Sequence, residues 1–450
     1  MAAAIGGCGG GAGAPTTAPA HPAASTALGH LQIVPHVAQR TSFELPSPWA
    51  VSYDEHGRHI ERAGSRAGTL TVAGVENLII SSTPGALLLH RLAELHARLR
   101  RGQFPIGADV HDHLHLSSTY WTSGFWPGAL WQAAALGPAG GMFERWALAA
   151  TLAHFGHERD DTHDVGFMYG QSSLAAWRVL CPHSPRPSIC TRLRRSALEA
   201  ARELMALGAS NRRAGTIPTN SVSPQADTIV DSMMNIAILP WASRVTGDPA
   251  YVRLASRHAH RVAELLVRRD GSTIQAVNFD RRSGRVVSFA THQGISKNST
   301  WSRGQGWALY GFAQAAADLR DRGLLRVAER IANYVDHHLP AGGVPRWDYD
   351  APAGAPVDVS AGVITAAGLE HLVQACRQLG GPCPASKRWA SLSHRMLAAA
   401  LGFVSDRPPL GLLRSQILNE HGHGCWCNGG ELSFGLTYGL EALRLVTNQH

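Results

Sequence analysis

Lysine is almost missing from this chain: Lys297 and Lys387 are the only two, so the net charge of +8 rests on arginine. No long basic run accompanies that charge beyond short clusters such as Arg192-Leu193-Arg194-Arg195. A nucleic-acid partner therefore has little support, and the diffuse positive surface favours small acidic molecules or oligosaccharides. Charged residues of either sign are also few, at 16% against 44% hydrophobic, which leaves ample material for a sizeable core. No apolar stretch approaches the roughly 18 to 20 residues of a membrane helix. Neither Lys nor Arg precedes Arg40, and the continuous apolar run of a secretory signal is missing as well. We expect a globular cytoplasmic protein without a membrane partner, monomeric or weakly dimeric.

Cysteine is too sparse and too irregular for a disulfide framework. The seven residues, Cys8, Cys181, Cys190, Cys376, Cys383, Cys425 and Cys427, are an odd number in a long chain. Cys425-Trp426-Cys427 is spaced too closely for a usual zinc knuckle, and no second close pair with ligand spacing joins it. Incidental thiols in a reducing compartment are expected, with no metal and no cofactor.

Strand-like alternation is scarce too. Residues 1–40 are rich in Ala, Gly, Pro, Ser and Thr and read as a disordered tail, with residues 41–450 as a single folded domain. From about Leu70 onward the pattern is helical. Leucines at 88, 92, 95 and 99 mark one face; Val327, Ile331 and Val335 repeat it before Pro340; Ala197 to Leu207, Ile364 to Leu379 and Trp389 to Leu401 read alike. One hairpin is expected in Thr273 to Phe289, turning at Arg281-Arg282-Ser283-Gly284. Between the helices lie loops that collect Trp, His, Asp and Gly. A helix, a turn, a returning helix and a decorated loop, repeated about six times, can close into a double ring with every such loop at one end. An open helical solenoid and two separate bundles are the rival architectures.

The loops hold the residues able to do chemistry. In Thr300 to Ala313, Arg303, Gln305 and aromatic residues surround three glycines; the stretch reads either as a site for a small acidic ring or as a tight turn whose tryptophans fill a core. His163-Asp164 puts an imidazole beside a carboxylate that could instead be a helix cap. If the segment from Asp227 is helical, Val230, Met234, Ile238 and Trp241 form its apolar stripe, with Asp231 and Asn235 one turn apart beside it. Such a carboxylate is partly desolvated, which raises its pKa and suits it to give up a proton near neutral pH. His292 and Gln293 lie shortly before Arg303. Trp121, Trp126 and Trp307 could stack on sugar rings or fill the core. Asp348, Asp350 and Asp358 lack the spacing of a calcium loop.

Five segments, Trp121-Thr122-Ser123-Gly124-Phe125-Trp126, His163-Asp164-Val165-Gly166-Phe167, Asp231-Ser232-Met233-Met234-Asn235, Thr291-His292-Gln293-Gly294 and Ser302-Arg303-Gly304-Gln305-Gly306-Trp307, occur in an order that resembles the unsaturated glucuronyl hydrolases, glycoside hydrolase family 88. The likeness spans roughly Trp121 to Leu445. It implies an all-α (α/α)6 barrel with a small β-hairpin excursion, and a substrate that is an oligosaccharide ending in a 4,5-unsaturated uronic acid. It also implies roles: Asp231 as the general acid and then base, Asp164 as its partner, His163 as a substrate hydrogen-bonding group, Gln293 and Arg303 holding the uronate, and Trp307 with Trp121 or Trp126 stacking. His292 joins the binding set. Two departures stand out: Gln275 occupies a place where the resemblance implies His, and Thr216 to Asn220 lacks an implied Trp. Within the same fold, a hydrolase of unsaturated rhamnogalacturonyl fragments from pectin is the nearest rival, and a non-catalytic oligosaccharide-binding relative the next.

Overall fold

The computed structural model describes residues 84–404 apart from 118, 137–139, 183–186 and 224–226, together with 52–53, 59–60, 416 and 429–447. The expected tail over 1–40, Cys8 and the Cys425-Trp426-Cys427 segment fall outside these residues. Helices dominate: α1 Pro84–Arg98, α2 Phe125–Ala134, α3 Gly140–Ala153, α4 Val165–Tyr169, α5 Ala175–Leu180, α6 Pro187–Ser210, α7 Ser232–Asn235, α8 Ile238–Thr246, α9 Ala250–Leu266, α10 Ser302–Leu319, α11 Arg322–His338, α12 Val359–Leu379, α13 Ser386–Leu401 and α14 Ser433–Thr447. A π turn, Gly170–Leu174, joins α4 to α5.

The helices alternate between two rings. The inner ring runs α2, α4 with α5, α7 with α8, α10, α12 and α14, and α14 closes it by packing on α2. Thr437 Oγ1 donates to the Phe125 carbonyl at 2.8 Å and Arg444 Nε to Gln132 Oε1 at 2.7 Å across that seam. Outside lie α1, α3, α6, α9, α11 and α13. This is the six-hairpin double ring expected from the loop spacing. Outer helices bury one stripe: α11 turns Leu324, Ala328, Ile331 and Val335 inward, starts at Asp321, whose carboxylate accepts from Gly323 N and Leu324 N, and ends at Leu339 before Pro340. Inner helices are buried nearly all round. α12 has the length and apolarity of a membrane span, contrary to expectation, but 89% of that window is buried, as a core helix of the barrel requires.

The strands are short. β1 Ser52–Tyr53 pairs with β2 His59–Ile60; β3 Pro105–Ala108 lies between β4 Leu114–Leu116 and β8 Glu431–Leu432; β6 Ala276–Phe279 lies between β5 Thr228–Ile229 and β7 Val286–Ala290, all antiparallel. The β6–β7 hairpin is the one expected. Its turn ends at Gly284, φ +73°, where a side chain would meet the Arg213 backbone at 2.4 Å.

Two further expectations are overturned. The helix drawn from Asp227 to Trp241 is instead strand β5, the single turn α7 and then α8, because β-branched Thr228 and Ile229 pair with Val277 and Ala276. Pro240 does not break α8; it occupies the first turn, where a missing N–H leaves no bond unmade. The thiols at Cys181 and Cys190, and at Cys376 and Cys383, are paired as disulfides with Cα atoms 5.6 and 6.0 Å apart. The first bridges the α5–α6 connection and the second the end of α12 and the loop after it. The cysteine argument for a reducing compartment therefore falls.

Candidate active site

Because outer and inner helices alternate, all six inner helices run the same way, and their N-terminal ends gather at one mouth. Trp121, Asp164, Asp231, Arg303, Asp358 and Phe434 all sit at those ends. Helix N-termini present unpaired N–H groups and positive dipole ends, so the mouth favours an anion.

Asp231 lies just before α7 and is 8% exposed. Its Oδ2 has no hydrogen-bond partner among the described residues. Burial pushes its pKa up to about 6, against the opposing pull of His163 and Arg303, while Asp164 adds to the rise. Asp164 occupies the N-cap position of α4, yet its carboxylate accepts no helix N–H. It takes the Thr162 hydroxyl at 3.2 Å and lies 3.4 Å from His163 Nε2. The capping role is thus not what holds this carboxylate here. His163 is 2% exposed, and its Nδ1 lacks a partner among the described residues.

The two carboxylate-bearing helix starts are locked together. Asn235 Oδ1 accepts from Phe167 N at 2.6 Å, and a Cβ on Gly166 would stand 2.3 Å from the Asn235 carbonyl. His258, on outer helix α9, is fully buried behind Asp231 and was not singled out in the sequence. Its Nδ1 accepts from Ile217 N at 2.9 Å, so its proton sits on Nε2 and is donated to Ser232 Oγ at 2.9 Å. Burial drives its pKa down to about 3, so the ring is neutral. Nothing in a lone histidine among helical residues signalled that role.

Arg303 is 1% exposed, with Nη1 2.9 Å from Asp358 Oδ2 and its guanidinium over the rings of Trp301 (4.6 Å) and Phe434 (5.0 Å). The three glycines beside it give room to neighbouring protein groups rather than to a ligand. Gly304 faces the Trp301 ring, Gly306 faces Thr365 and Ile364 of α12, and Gly311 faces Met233 of α7. Trp307 and Trp126 are likewise core residues. Trp307 is fully buried against Phe167 (5.0 Å) and Tyr438 (5.1 Å), and Trp126 is 2% exposed, so neither offers a face to a sugar in this arrangement. Trp121 remains half-buried, stacked on Phe434 at 5.3 Å.

Gln275 holds a loop. Its Oε1 accepts from Thr291 Oγ1 (2.7 Å), His292 N (2.7 Å) and Gln293 N (3.0 Å), and its Nε2 donates to Gln293 Oε1. Gln293 and His292 are thereby fixed at the mouth, Gln293 half-buried and His292 exposed. The carboxylates of Asp348 and Asp350 accept donors of the same loop and its continuation, from Ile295 N, Ser299 Oγ and Thr300 N.

No protein-family model matches the chain. It is 34% identical over 317 residues to the unsaturated glucuronyl hydrolase of Bacillus sp. (strain GL1), covering 68% of this chain and 80% of that one. It is 30% identical over 342 residues to the unsaturated chondroitin disaccharide hydrolase of Streptococcus pyogenes serotype M1, covering 73% and 81%. Among solved structures, an unsaturated glucuronyl hydrolase specific for heparin superposes with a TM-score of 0.73 at 25% identity, over 81% of this chain and 96% of that one. These likenesses run along the same barrel that carries the paired carboxylates at its mouth, and the chain belongs to the unsaturated glucuronyl hydrolase family.

Proposed function

We propose that this enzyme removes the 4,5-unsaturated uronic acid from the non-reducing end of lyase-generated oligosaccharides of the glycosaminoglycan type, with Asp231 as its acid and base. The observation that carries the reading is Asp231 itself: a buried carboxyl with one oxygen unbonded and a pKa near 6, hence still able to hold a proton close to neutrality. The substrate's ring double bond is a vinyl ether. Asp231 gives its proton to C4, and the positive charge that develops is shared between C5 and the ring oxygen. The resulting carboxylate takes a proton from a water whose oxygen bonds to C5, which returns Asp231 to its acid form. The hemiketal at C5 then opens, and the hemiacetal left at C1 expels the remaining sugar. No glycosidic oxygen is protonated directly, so carboxylate separation does not decide the stereochemistry as it does in ordinary glycosidases.

Asp164 and His163 share the polar pocket beside Asp231: burial keeps the acid protonated, His163 opposes it, and the charge of Asp164 adds to the rise. Trp121 supplies the accessible aromatic face and Gln293 a fixed amide. Lyase-generated unsaturated disaccharide should lose its ultraviolet absorbance on incubation with the protein in the presence of a chelator, and Asp231→Asn should abolish that loss while retaining the native circular dichroism. An unchanged rate in the variant would remove Asp231 from the reaction. A panel of chondroitin, hyaluronan, heparin and rhamnogalacturonan fragments ranks the substrates.

A further inference from the structure

Between β3 and β4 the chain runs Asp109-Val110-His111-Asp112-His113-Leu114-His115, three imidazoles and two carboxylates in seven residues. The proposed hydrolysis uses none of them. Asp109 N donates to the His113 carbonyl at 3.1 Å, one step beyond the paired Ala108 and Leu114. Side chains alternate along paired strands, so Ala108 and Leu114 turn to the core while Asp109, His113 and His115 share the other face.

The geometry of that face is set by the turn itself. Asp109 Oδ1 accepts from His111 N at 2.8 Å and His113 N at 2.9 Å, which commits that oxygen to the backbone and fixes the other. Asp109 Oδ2 lies 3.0 Å from His113 Nδ1 and 4.0 Å from His115 Nε2. Asp112, at φ +66°, bolts the turn to α1. Its carboxylate holds Arg91 and accepts Arg98 Nη1 at 2.7 Å, and its carbonyl accepts Arg98 Nη2 at 2.8 Å. Arginine thus takes Asp112, and the carboxylate set among imidazoles is Asp109. One carboxylate oxygen with two imidazole nitrogens is a donor set for zinc and its transition-series neighbours, whereas calcium and magnesium prefer oxygen alone. With ligands at about 2.0 to 2.1 Å, the corners of a tetrahedral zinc site stand roughly 3.3 Å apart. The edge from Asp109 to His113 is already near that length, and a small rotation of the His115 ring closes the other.

We propose that the β3–β4 hairpin is a zinc-class metal site, with Asp109 Oδ2, His113 Nδ1 and His115 Nε2 as ligands and solvent at the fourth position. The proton between His113 Nδ1 and Asp109 is released as the metal enters. The two backbone bonds to Asp109 Oδ1 hold the carboxylate in place, as outer hydrogen bonds orient ligands in other metal sites. The role is structural and separate from hydrolysis, since Asp164 and Asp231 stand at the starts of α4 and α7. Ala108, next to Asp109, pairs with Glu431 of β8, and β8 leads directly into α14. A metal here stiffens the small sheet that receives the start of the ring-closing helix. Such a site runs against the expectation of no metal, which came from the cysteines and from Asp348, Asp350 and Asp358.

The test titrates Zn2+ into the untagged full chain, stripped with chelator and then dialysed, at pH 7.5, where ordinary imidazoles are neutral. Calorimetry should find one tightest site per chain. His115→Ala removes a half-buried ring, and Asp109→Asn keeps an oxygen for the two backbone N–H groups. Each, with native circular dichroism, should bind zinc at that site at least tenfold more weakly. Zinc should raise the Tm of wild type and leave that of either variant unmoved. Co2+ in place of zinc should give wild type the visible bands of nitrogen and oxygen ligands without the near-ultraviolet charge transfer of thiolate. That spectrum needs no variant. No zinc uptake by wild type, uptake within twofold of wild type in either variant, or a thiolate band overturns the site. Unsaturated disaccharide should be hydrolysed alike by wild type and His115→Ala, with or without chelator; a rate that falls on chelation and returns with zinc overturns the structural role.

Discussion

At the scale of single residues, the carboxyl group proposed as the acid is held at a cost to the fold. Asp231 keeps its proton to about pH 6 when folded, whereas an unfolded Asp releases it near 4. The folded state therefore binds the extra proton, and stability falls as pH climbs from about 4 to about 6, then levels off, by up to about 3 kcal/mol. Asp231→Asn, neutral at every pH, should raise the Tm at pH 7 and lose most of that gain below pH 4; calorimetric melts of both proteins across that range check it. The same pKa sets the sign for turnover, since kcat/KM should decline as pH rises through about 6 and the proton is lost. The sequence made both aspartates legible through the residues flanking them. It could not reveal that Trp126 and Trp307 are buried, because a tryptophan beside small residues is spelled alike in a core and on a platform. His258 was equally silent: it sits on an outer helix and reaches the site through the Ile217 and Ser232 segments, contacts that no local pattern records.

At the scale of elements, the site depends on how closely α4 and α7 approach. Gly166 permits that contact, since a methyl group there would press on the Asn235 backbone at 2.3 to 2.5 Å. Gly166→Ala should force the two helix starts apart, lowering stability by about 1 to 3 kcal/mol. Activity should fall further than this loss alone explains, as Asp164 and His163 shift from Asp231; melts and steady-state kinetics on the same preparation separate the two effects. Long amphipathic elements such as α11 were readable from period alone, and so was the β6–β7 hairpin from its turn. The segment around Asp231 was not. Its strand pairs with residues nearly 50 positions further on, and such non-local pairing outweighs the local helical spacing of Val230, Met234 and Ile238.

At the scale of the whole molecule, the two disulfides brace places where the chain leaves an inner helix, after α5 and at the end of α12. Closing loops with sequence separations of 9 and 7 residues, each should contribute about 2 to 3 kcal/mol on the chain-entropy account. Thiol counting of the denatured, unreduced protein should find four cysteines unreactive, and reductant should lower the Tm; a Tm indifferent to reductant would show that the pairs contribute nothing. The double ring was foreseen from the spacing of decorated loops, while the cysteine pairs were not, because partners chosen by packing need no regular spacing in the chain.

The seam between α2 and α14 ties residues 312 positions apart. A ribosome therefore completes five of the six inner members before the one that shuts the circle exists. Until α14 emerges, the apolar flank of α2 and that of α12 have no cover, and the aromatic cluster of Trp121, Phe125 and Trp307 lacks Phe434 and Tyr438. Synthesis of this barrel thus leaves a long interval in which a nearly finished chain is both inactive and adhesive, a state suited to capture by a chaperone.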